Sequence, residues 1–264
     1  MSTYADDLRL GLVLADMVDS LTLARFGAMD LQVETKPDLT PVSDADRAAE
    51  ELIRNQLRRS RSRDAITGEE FGTTGSSSRH WVVDPIDGTK NFVRGVPVWA
   101  TLIALIEDDV PVVGVVSAPA LGRRWWASSG TGAWTGRNLA SAKRLQVSKV
   151  GRVADASVAY SSYHSWEAKS LGTQFDTLLR TAWRTRGYGD FWSYMLLAEG
   201  AVDIAAEPEL ALYDVAALIP VVTEAGGTFT GLQGGPAHRE GSAVATNGIL
   251  HEQTMRLLTP EPTA

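Results

Sequence analysis

Two carboxylates, Asp84 and Asp87, lie on either side of a proline in the stretch WVVDPIDGTKNF at residues 81–92. Proline fixes its own φ and biases the preceding residue towards an extended backbone, so Pro85 stiffens the turn. Gly88 allows the backbone to approach a ligand closely. Because carboxylates bind hard cations and free backbone N–H groups bind phosphate oxygens, the stretch favours metal-assisted phosphoryl chemistry. The alternative is a buried strand that ends in an ordinary Asp-Pro turn.

Two further carboxylates, Glu69 and Asp214, occupy comparable places in the sequence. Each follows a short apolar segment that predicts a strand, and each precedes a turn or a helix start. If these strands share a sheet with the strand before Asp84, the carboxylates converge at one rim. Two metal ions about 3.5–4 Å apart are the usual device for hydrolysing a phosphate ester, because one activates water and the other stabilises the departing oxygen.

The composition is that of an ordinary globular protein, with 44% hydrophobic and 22% charged residues in a chain of 264. The net charge of -7 argues against a general nucleic-acid binder. There are no cysteines, which excludes disulfides and thiolate metal sites. The four histidines are scattered without ligand-like spacing, which favours Mg²⁺-type chemistry over a histidine-rich zinc site.

Neither a secretory leader nor an apolar run of membrane-spanning length is evident in the sequence. We therefore expect a cytoplasmic protein whose partners include neither nucleic acid nor a membrane.

The periodicity of apolar residues predicts an α+β protein with one half rich in antiparallel sheet. Helices are predicted at residues 4–26, 44–58, 175–184, 190–200, 215–224 and 249–258, with Pro220 as the point of a kink. Strands are predicted at residues 66–68, 81–83, 99–106, 111–116, 124–127, 132–134, 158–160, 202–206, 228–230 and 243–246. Residues 72–78 are predicted to be flexible.

The second helix begins with a sequence that has two interpretations. Ser43 and Asp46 have the spacing of a helix capping box, and both Asp44 and Asp46 suit the positive end of the helix dipole. Capping alone therefore explains the two aspartates, and a role in the site is the alternative.

Four segments, taken in order, resemble the motifs of the inositol monophosphatase family. Residues 41–50 are similar to its V-[ST]-x-x-D-x-x-x-E segment, and residues 68–70 to its G-E-E motif. Residues 81–92 resemble W-[IV]-[IV]-D-P-[IL]-D-G-T-x-N-F, and residues 213–227 resemble W-D-x-A-[AG] followed by [VE]-x-E-A-G-G. One departure is Tyr213, where the family more often has tryptophan, and we expect it to affect packing only.

The resemblance implies a layered α-β-α-β-α sandwich and hydrolysis of a small phosphate monoester with two to three Mg²⁺ ions per site. Oxygen ligands would also accept Mn²⁺ or Zn²⁺. It further implies a single catalytic domain over residues 1–258, with lobes at about 1–140 and 141–258, and commonly a homodimer. Residues 259–264 are expected to form a disordered tail.

The family's roles fall on residues of this chain as follows. The first metal would be held by Glu69, Asp84 and the carbonyl of Ile86. The second would be held by Asp84, Asp87 and Asp214. The nucleophilic water would be oriented by Thr89 with Glu69 close by, and Asp46 would support Thr89. Phosphate would be bound by the N–H groups of Gly88 and Thr89. A third, looser Mg²⁺ would lie near residues 36–46, with Asp44 as a ligand.

The expected substrate follows from residues 186–192 and from Glu207. Asp190 and Glu207 place negative charge beside aromatic residues such as Trp192, which suits a cationic, partly planar alcohol such as histidinol. Residues 186–192 and 124–127 also resemble the histidinol-phosphatase branch of the family found in actinobacteria. The alternatives are that Asp190 caps a helix and that Trp192 belongs to the core.

Two other functions are open at this point. One is an inositol or broad-specificity sugar phosphatase of the same family. The other is a non-catalytic relative that binds metal, although degenerate relatives normally lack a ligand and here every expected position is filled.

Overall fold

The computed structural model describes residues 3–37 and 39–259. Its helices are α1 Ala5–Arg25, α2 Asp44–Ser60, α3 Thr89–Val93, α4 Tyr163–Ala168, α5 Gly172–Thr181, α6 Asp190–Ala198, α7 Leu212–Val215, α8 Leu218–Glu224, α9 Ala237–Glu240 and α10 His251–Leu258. Its strands are β1 Val33–Thr35, β2 Pro41–Ser43, β3 Ala65–Gly68, β4 Gly72–Thr74, β5 Arg79–Asp87, β6 Ala100–Glu107, β7 Val110–Ala118, β8 Arg123–Ser128, β9 Ala133–Thr135, β10 Lys143–Arg144, β11 Ser157–Tyr160, β12 Arg184–Gly187, β13 Ile204–Glu207, β14 Thr228–Thr230 and β15 Ala243–Thr246.

The strands form two large sheets and the small hairpin β1–β2. An eight-stranded sheet has the order β10-β9-β8-β7-β6-β5-β3-β4, in which only the β3–β5 pair is parallel. A five-stranded sheet has the order β12-β11-β13-β15-β14, with β11 parallel to both of its neighbours.

Successive side chains of β5 point to opposite faces of the larger sheet, and both faces are buried. Trp81 and Val83 pack into one hydrophobic cluster with residues of α1 and α2. Val82 faces the opposite way, into the cluster that holds residues of α6 and α8. Helices therefore cover the sheet on both sides, which explains why its central strands are apolar throughout.

The helices α6 and α8 form the middle layer, since their cluster also includes residues of the smaller sheet such as Ala205 and Ala245. The neighbouring residues Ile204, Ala206 and Val244 pack on the other face, against α5 and α10. The layers are thus helix, sheet, helix, sheet and helix. This confirms the predicted α-β-α-β-α sandwich.

Two predicted helices are wrong in detail. The helix predicted at 175–184 ends at Thr181, because residues 184–187 form an edge strand beside β11. The helix predicted at 215–224 is two helices separated at Ala216 and Ala217. Pro220 has no N–H to donate to the carbonyl of Ala216, four residues earlier, so the break lies where the proline is expected to disrupt the helix.

The flexible stretch predicted at 72–78 instead begins with strand β4. Helices α4 and α9 were not predicted. In residues 3–37 and 39–259, no helix has the length and apolar character of a membrane span. The predicted tail lies outside the described residues, apart from Thr259.

Candidate active site

Strand β5 carries Asp84 and Asp87 on one side because it contains a bulge. Residues three apart on a regular strand point to opposite faces. Here Asp84 pairs with Leu102 and Asp87 with Ala100, so three steps on β5 match two steps on β6. The extra residue beside Pro85 re-aims the second carboxylate, as bulges near functional sites commonly do.

Three carboxylates converge at this point. Asp84, Asp87 and Asp214 each offer an oxygen, and the three oxygens lie within 4.8 Å of one another. Asp214 reaches the cluster from α7, where it accepts a hydrogen bond of 2.7 Å from the N–H of Ala211. A short loop after β13 leads to the start of α7 and to Asp214, as the sequence predicts.

Burial and mutual repulsion raise the pKa values of these carboxyls. The pKa of Asp84 lies well above its usual value because of burial and then the charges of Glu69, Asp87 and Asp214. Burial, opposed by a backbone hydrogen bond and reinforced by nearby carboxylates, raises the pKa of Asp214 to about 7. A buried cluster of like charges is stabilised by a hard divalent cation, and an all-oxygen donor set fits such a cation.

Lys36 brings positive charge to the same place from the turn between β1 and β2. Its ammonium lies 2.7 Å from a carboxylate oxygen of Glu69 and 2.6 Å from one of Glu70. Asp44, by contrast, forms an ion pair of 2.8 Å with Arg25. The structure therefore does not bring Asp44 into the carboxylate cluster.

Helix α2 fixes the turn that follows Glu69 through the side chain of Glu50. The buried Glu50 accepts hydrogen bonds from the N–H groups of Glu70 at 2.7 Å and Phe71 at 3.2 Å, and it pairs with Arg54 at 2.7 Å. A Cβ at Gly68 would collide with the Glu50 carboxylate, so a larger residue there would displace Glu50 from the turn. The turn that presents Glu69 is thereby fixed to α2.

Thr89 and Asp46 meet beside the bulge. The hydroxyl of Thr89 lies 3.1 Å from a carboxylate oxygen of Asp46 and 3.0 Å from the carbonyl oxygen of Ile86. Asp46 also accepts the N–H of Ser43 at 2.8 Å, which completes the capping box. Asp46 therefore makes the capping hydrogen bond and also contacts Thr89, and its role in the reaction stays a prediction. Gly88, with φ of 89°, supplies the left-handed turn before Thr89.

A cavity of about 670 Å³ opens from this cluster. Its lining includes Asp87 and Asp214 of the carboxylate cluster, and also Glu69, Asp190 and Glu207. Trp192 does not line it. Its ring packs on the hydrophobic cluster of the middle layer and lies edge-on to the ring of Tyr188, with centroids 5.7 Å apart. Tyr188 takes the cavity-lining place that the sequence suggested for Trp192.

Asp190 begins α6 with an unusual backbone. Its φ of 48° is left-handed, and its N–H donates to the hydroxyl of Ser161 at 2.8 Å. Its carboxylate accepts a hydrogen bond from Asn91 at 3.2 Å and would lie 3.3 Å from a Cβ placed on Gly88. The helix cap is Gly189, so the alternative that Asp190 is the N-cap is wrong.

Glu207 ends β13 and is buried, which raises its pKa to about 7. It accepts a hydrogen bond from the N–H of Ser161, the same residue that receives the N–H of Asp190. Ser161 therefore links the backbone of Asp190 to the carboxylate of Glu207. Ser161 was not predicted as a site residue, although it follows β11 and the ends of parallel strands share one edge.

The two parts of the cavity are also joined directly. The N–H of Phe191, the second residue of α6, donates to the carboxylate of Asp87 at 2.7 Å. The helix that presents Asp190 is thus anchored on the bulged strand.

Comparison with known proteins identifies relatives of this chain in sequence. The sequence profile described as the inositol monophosphatase family matches residues 13–262. The histidinol-phosphatase of Streptomyces coelicolor is 61% identical over 98% of this chain and 98% of its own length. That of Mycobacterium tuberculosis is 58% identical over 96% of this chain and 98% of its own length.

Solved structures agree on the fold. The extragenic suppressor protein SuhB from Bartonella henselae superimposes with a TM-score of 0.88 at 28% identity, covering 98% of this chain and 100% of that one. An inositol monophosphatase from Zymomonas mobilis gives a TM-score of 0.87 at 32% identity, covering 98% and 99%.

Proposed function

The chain belongs to the inositol monophosphatase family and is a phosphoric monoester hydrolase, and we propose that it converts histidinol phosphate to histidinol and phosphate in histidine biosynthesis. The observation that carries this proposal is the near full-length identity to two histidinol-phosphatases. The buried Glu207 and the partly exposed Asp190, which both line the cavity, support it, because two carboxylates suit a cationic alcohol better than a neutral polyol.

The family depends on a divalent metal, and we propose Mg²⁺, with two to three ions in the site. Bound metal supplies an activated water and neutralises the departing oxygen. The proposed ligands are Glu69, Asp84 and the Ile86 carbonyl for one ion, and Asp84, Asp87 and Asp214 for the other. The distances among the last three support the second set.

The protein's own groups position the reactants. Thr89 would orient the attacking water, and Asp46 would fix the direction of the Thr89 hydroxyl by accepting its hydrogen. Gly88 and Thr89 would present backbone N–H groups to the phosphate, because the left-handed turn at Gly88 opens the approach. Asp190, close to that turn, would receive the positive charge of the alcohol.

We also propose a cytoplasmic homodimer that binds neither nucleic acid nor membrane. The net charge of -7 supports the absence of nucleic acid from its partners. Residues 1–258 are proposed to form one catalytic domain, and the middle helical layer that packs on both sheets supports this.

The decisive experiment is phosphate release from a panel of substrates with Mg²⁺. The panel contains histidinol phosphate, inositol 1-phosphate, fructose 1,6-bisphosphate and adenosine 3′,5′-bisphosphate. We expect kcat/KM to be highest for histidinol phosphate by at least about tenfold. A preference for inositol 1-phosphate would favour the broader phosphatase, and no turnover on any of the four would favour a non-catalytic relative.

A further inference from the structure

Tyr194 lies one turn into α6 and lines the cavity. Its side chain is 1% exposed. The ring stacks on Phe229 with centroids 5.2 Å apart and an interplanar angle of 16°. Packing therefore fixes the direction in which the hydroxyl points.

That hydroxyl is buried and has no hydrogen-bond partner among the described residues. Buried hydroxyls are nearly always paired, because an unpaired one loses the hydrogen bonds that water gave it. The same helix carries two other unpartnered polar groups, the Ser193 hydroxyl and the Trp192 indole N–H, but neither residue lines the cavity. Only Tyr194 of these three is placed to meet a ligand.

The Tyr194 side chain shares the cavity with three carboxylates. Burial raises the pKa of Tyr194, and the charges that raise it further belong to Glu207, then Asp214 and Asp87. All three carboxylates line the same cavity. The phenol is consequently neutral, so it both donates and accepts a hydrogen bond.

The substrate's chemistry divides between the two carboxylates. In histidinol phosphate the ammonium is on the carbon next to the ester-bearing carbon, so it lies close to the phosphate. Asp190 is close to the proposed phosphate turn at Gly88 and suits this ammonium. The imidazole extends further, and a ring with one N–H and one bare nitrogen matches a neutral hydroxyl beside a carboxylate.

We propose that Tyr194 is a specificity-determining residue whose hydroxyl forms a hydrogen bond with the imidazole of the substrate beside Glu207. The inference rests on the proposed function, since it assigns a contact within that same cavity. It separates recognition of the ring, by Tyr194 and Glu207, from recognition of the ammonium by Asp190.

The test is Tyr194→Phe, which keeps the ring and its stacking on Phe229 and removes only the hydroxyl. We expect KM for histidinol phosphate to rise about tenfold with a smaller change in kcat, and histidinol to bind about tenfold more weakly by calorimetry. Phosphoethanolamine, which keeps the ammonium and lacks the ring, should lose much less. The Tm should not fall, because an unpaired hydroxyl has been removed.

The matched control is Ser193→Ala, which removes a buried unpartnered hydroxyl from the neighbouring residue. It should change neither KM nor histidinol binding. Equal losses by Tyr194→Phe on both substrates, or unchanged histidinol binding with intact turnover, would overturn the inference. If the wild-type protein fails to hydrolyse histidinol phosphate, the proposed function fails instead, and the two results are therefore distinguishable.

Discussion

The acidic end of the cavity and its alcohol end are built in different ways. At the acidic end, Asp84, Asp87 and Thr89 come from one continuous stretch in which the bulge of β5 sets their directions. At the alcohol end, Asp190, Glu207 and Ser161 come from three elements, and hydrogen bonds to Ser161 hold them together.

The difference indicates how chemistry and selectivity are separated in this fold. The backbone of one stiff strand sets the relative directions of Asp84 and Asp87, although Asp214, Glu69 and Lys36 reach the acidic end from other elements. The alcohol end depends on long-range hydrogen bonds, in which single residues are exchangeable without loss of the fold. Substitutions at the acidic end should therefore abolish turnover, whereas those at the alcohol end should change preference.

The largest effect is expected for Asp87→Asn. Asparagine still accepts the N–H of Phe191, so the fold should persist, but a charge is lost from the cluster. We expect turnover to fall on the order of a thousandfold with little change in Tm. Phosphate release over a Mg²⁺ titration measures this, and normal Mg²⁺-dependent hydrolysis would remove Asp87 from the proposed ligands.

Asp190→Ala tests the alcohol end of the cavity. We expect kcat/KM for histidinol phosphate to fall about 30-fold or more, since the substrate's charge loses its partner, with a far smaller loss for an uncharged sugar phosphate. Asp190→Asn is the matched control for backbone strain, because asparagine tolerates the left-handed φ of 48°. Equal losses on both substrates would contradict selection by charge and erase the distinction between the two ends.

Glu50→Gln tests whether the acidic end needs support from α2. Glu50 holds the turn that presents Glu69, so we expect the affinity for Mn²⁺ or Mg²⁺ to fall about tenfold, with a loss of stability from the unpaired Arg54. Calorimetry gives the metal affinity, and thermal melting gives the stability.

The matched control for this prediction is Asp203→Asn. Asp203 is also a buried carboxylate that accepts a backbone N–H, from Ser157 at 2.7 Å, but it lies outside the cavity. It should lose stability and keep metal affinity. A similar loss of metal affinity in both variants would show that general destabilisation, not the turn at Glu69, is responsible.

The last prediction concerns Glu207 and the dependence of stability on pH. Its pKa is raised from 4.5 to about 7, so its stabilising contribution is present below pH 4.5 and is lost as pH rises through about 7. Between about pH 5 and pH 8 the wild type should lose on the order of 3 kcal/mol of unfolding free energy relative to Glu207→Gln.

Saturating Mg²⁺ sharpens this measurement. Bound metal would keep the carboxylates of the acidic end ionised across that range, whereas Glu207 would still titrate. Denaturant unfolding with Mg²⁺ at several pH values separates the two ends. An identical pH dependence in wild type and Glu207→Gln would show that Glu207 does not titrate in this range.

The sequence predicted the acidic end well because its signals are local. Trp81, Val82 and Val83 predict a buried strand, which is confirmed, although the strand continues through a bulge to Asp87 where a stiff turn is predicted. The end of the helix predicted at 175–184 is wrong for a physical reason: the four residues of β12, which begins at Arg184, are mostly polar, and only pairing with β11 makes them a strand.

The alcohol end could not be predicted in the same way. Ser161 is 29 residues from Asp190 and 46 residues from Glu207, so no local pattern links them. Trp192 was chosen for its aromatic ring, but the turn of α6 directs that ring to the central cluster. A single sequence gives the type of a side chain, whereas its direction depends on helix phase and on neighbours from other elements.

The hydrogen bond from Phe191 to Asp87 has a thermodynamic consequence. It connects the first turn of α6, which presents Asp190, to a carboxylate proposed to hold metal. Linkage is reciprocal: if an ion on Asp87 changes the affinity for the alcohol by some factor, the alcohol changes the affinity for the ion by the same factor. The order in which ion and ester bind is then immaterial to the stability of the full complex, and the apparent metal requirement of this protein should vary with the ester that is used to measure it.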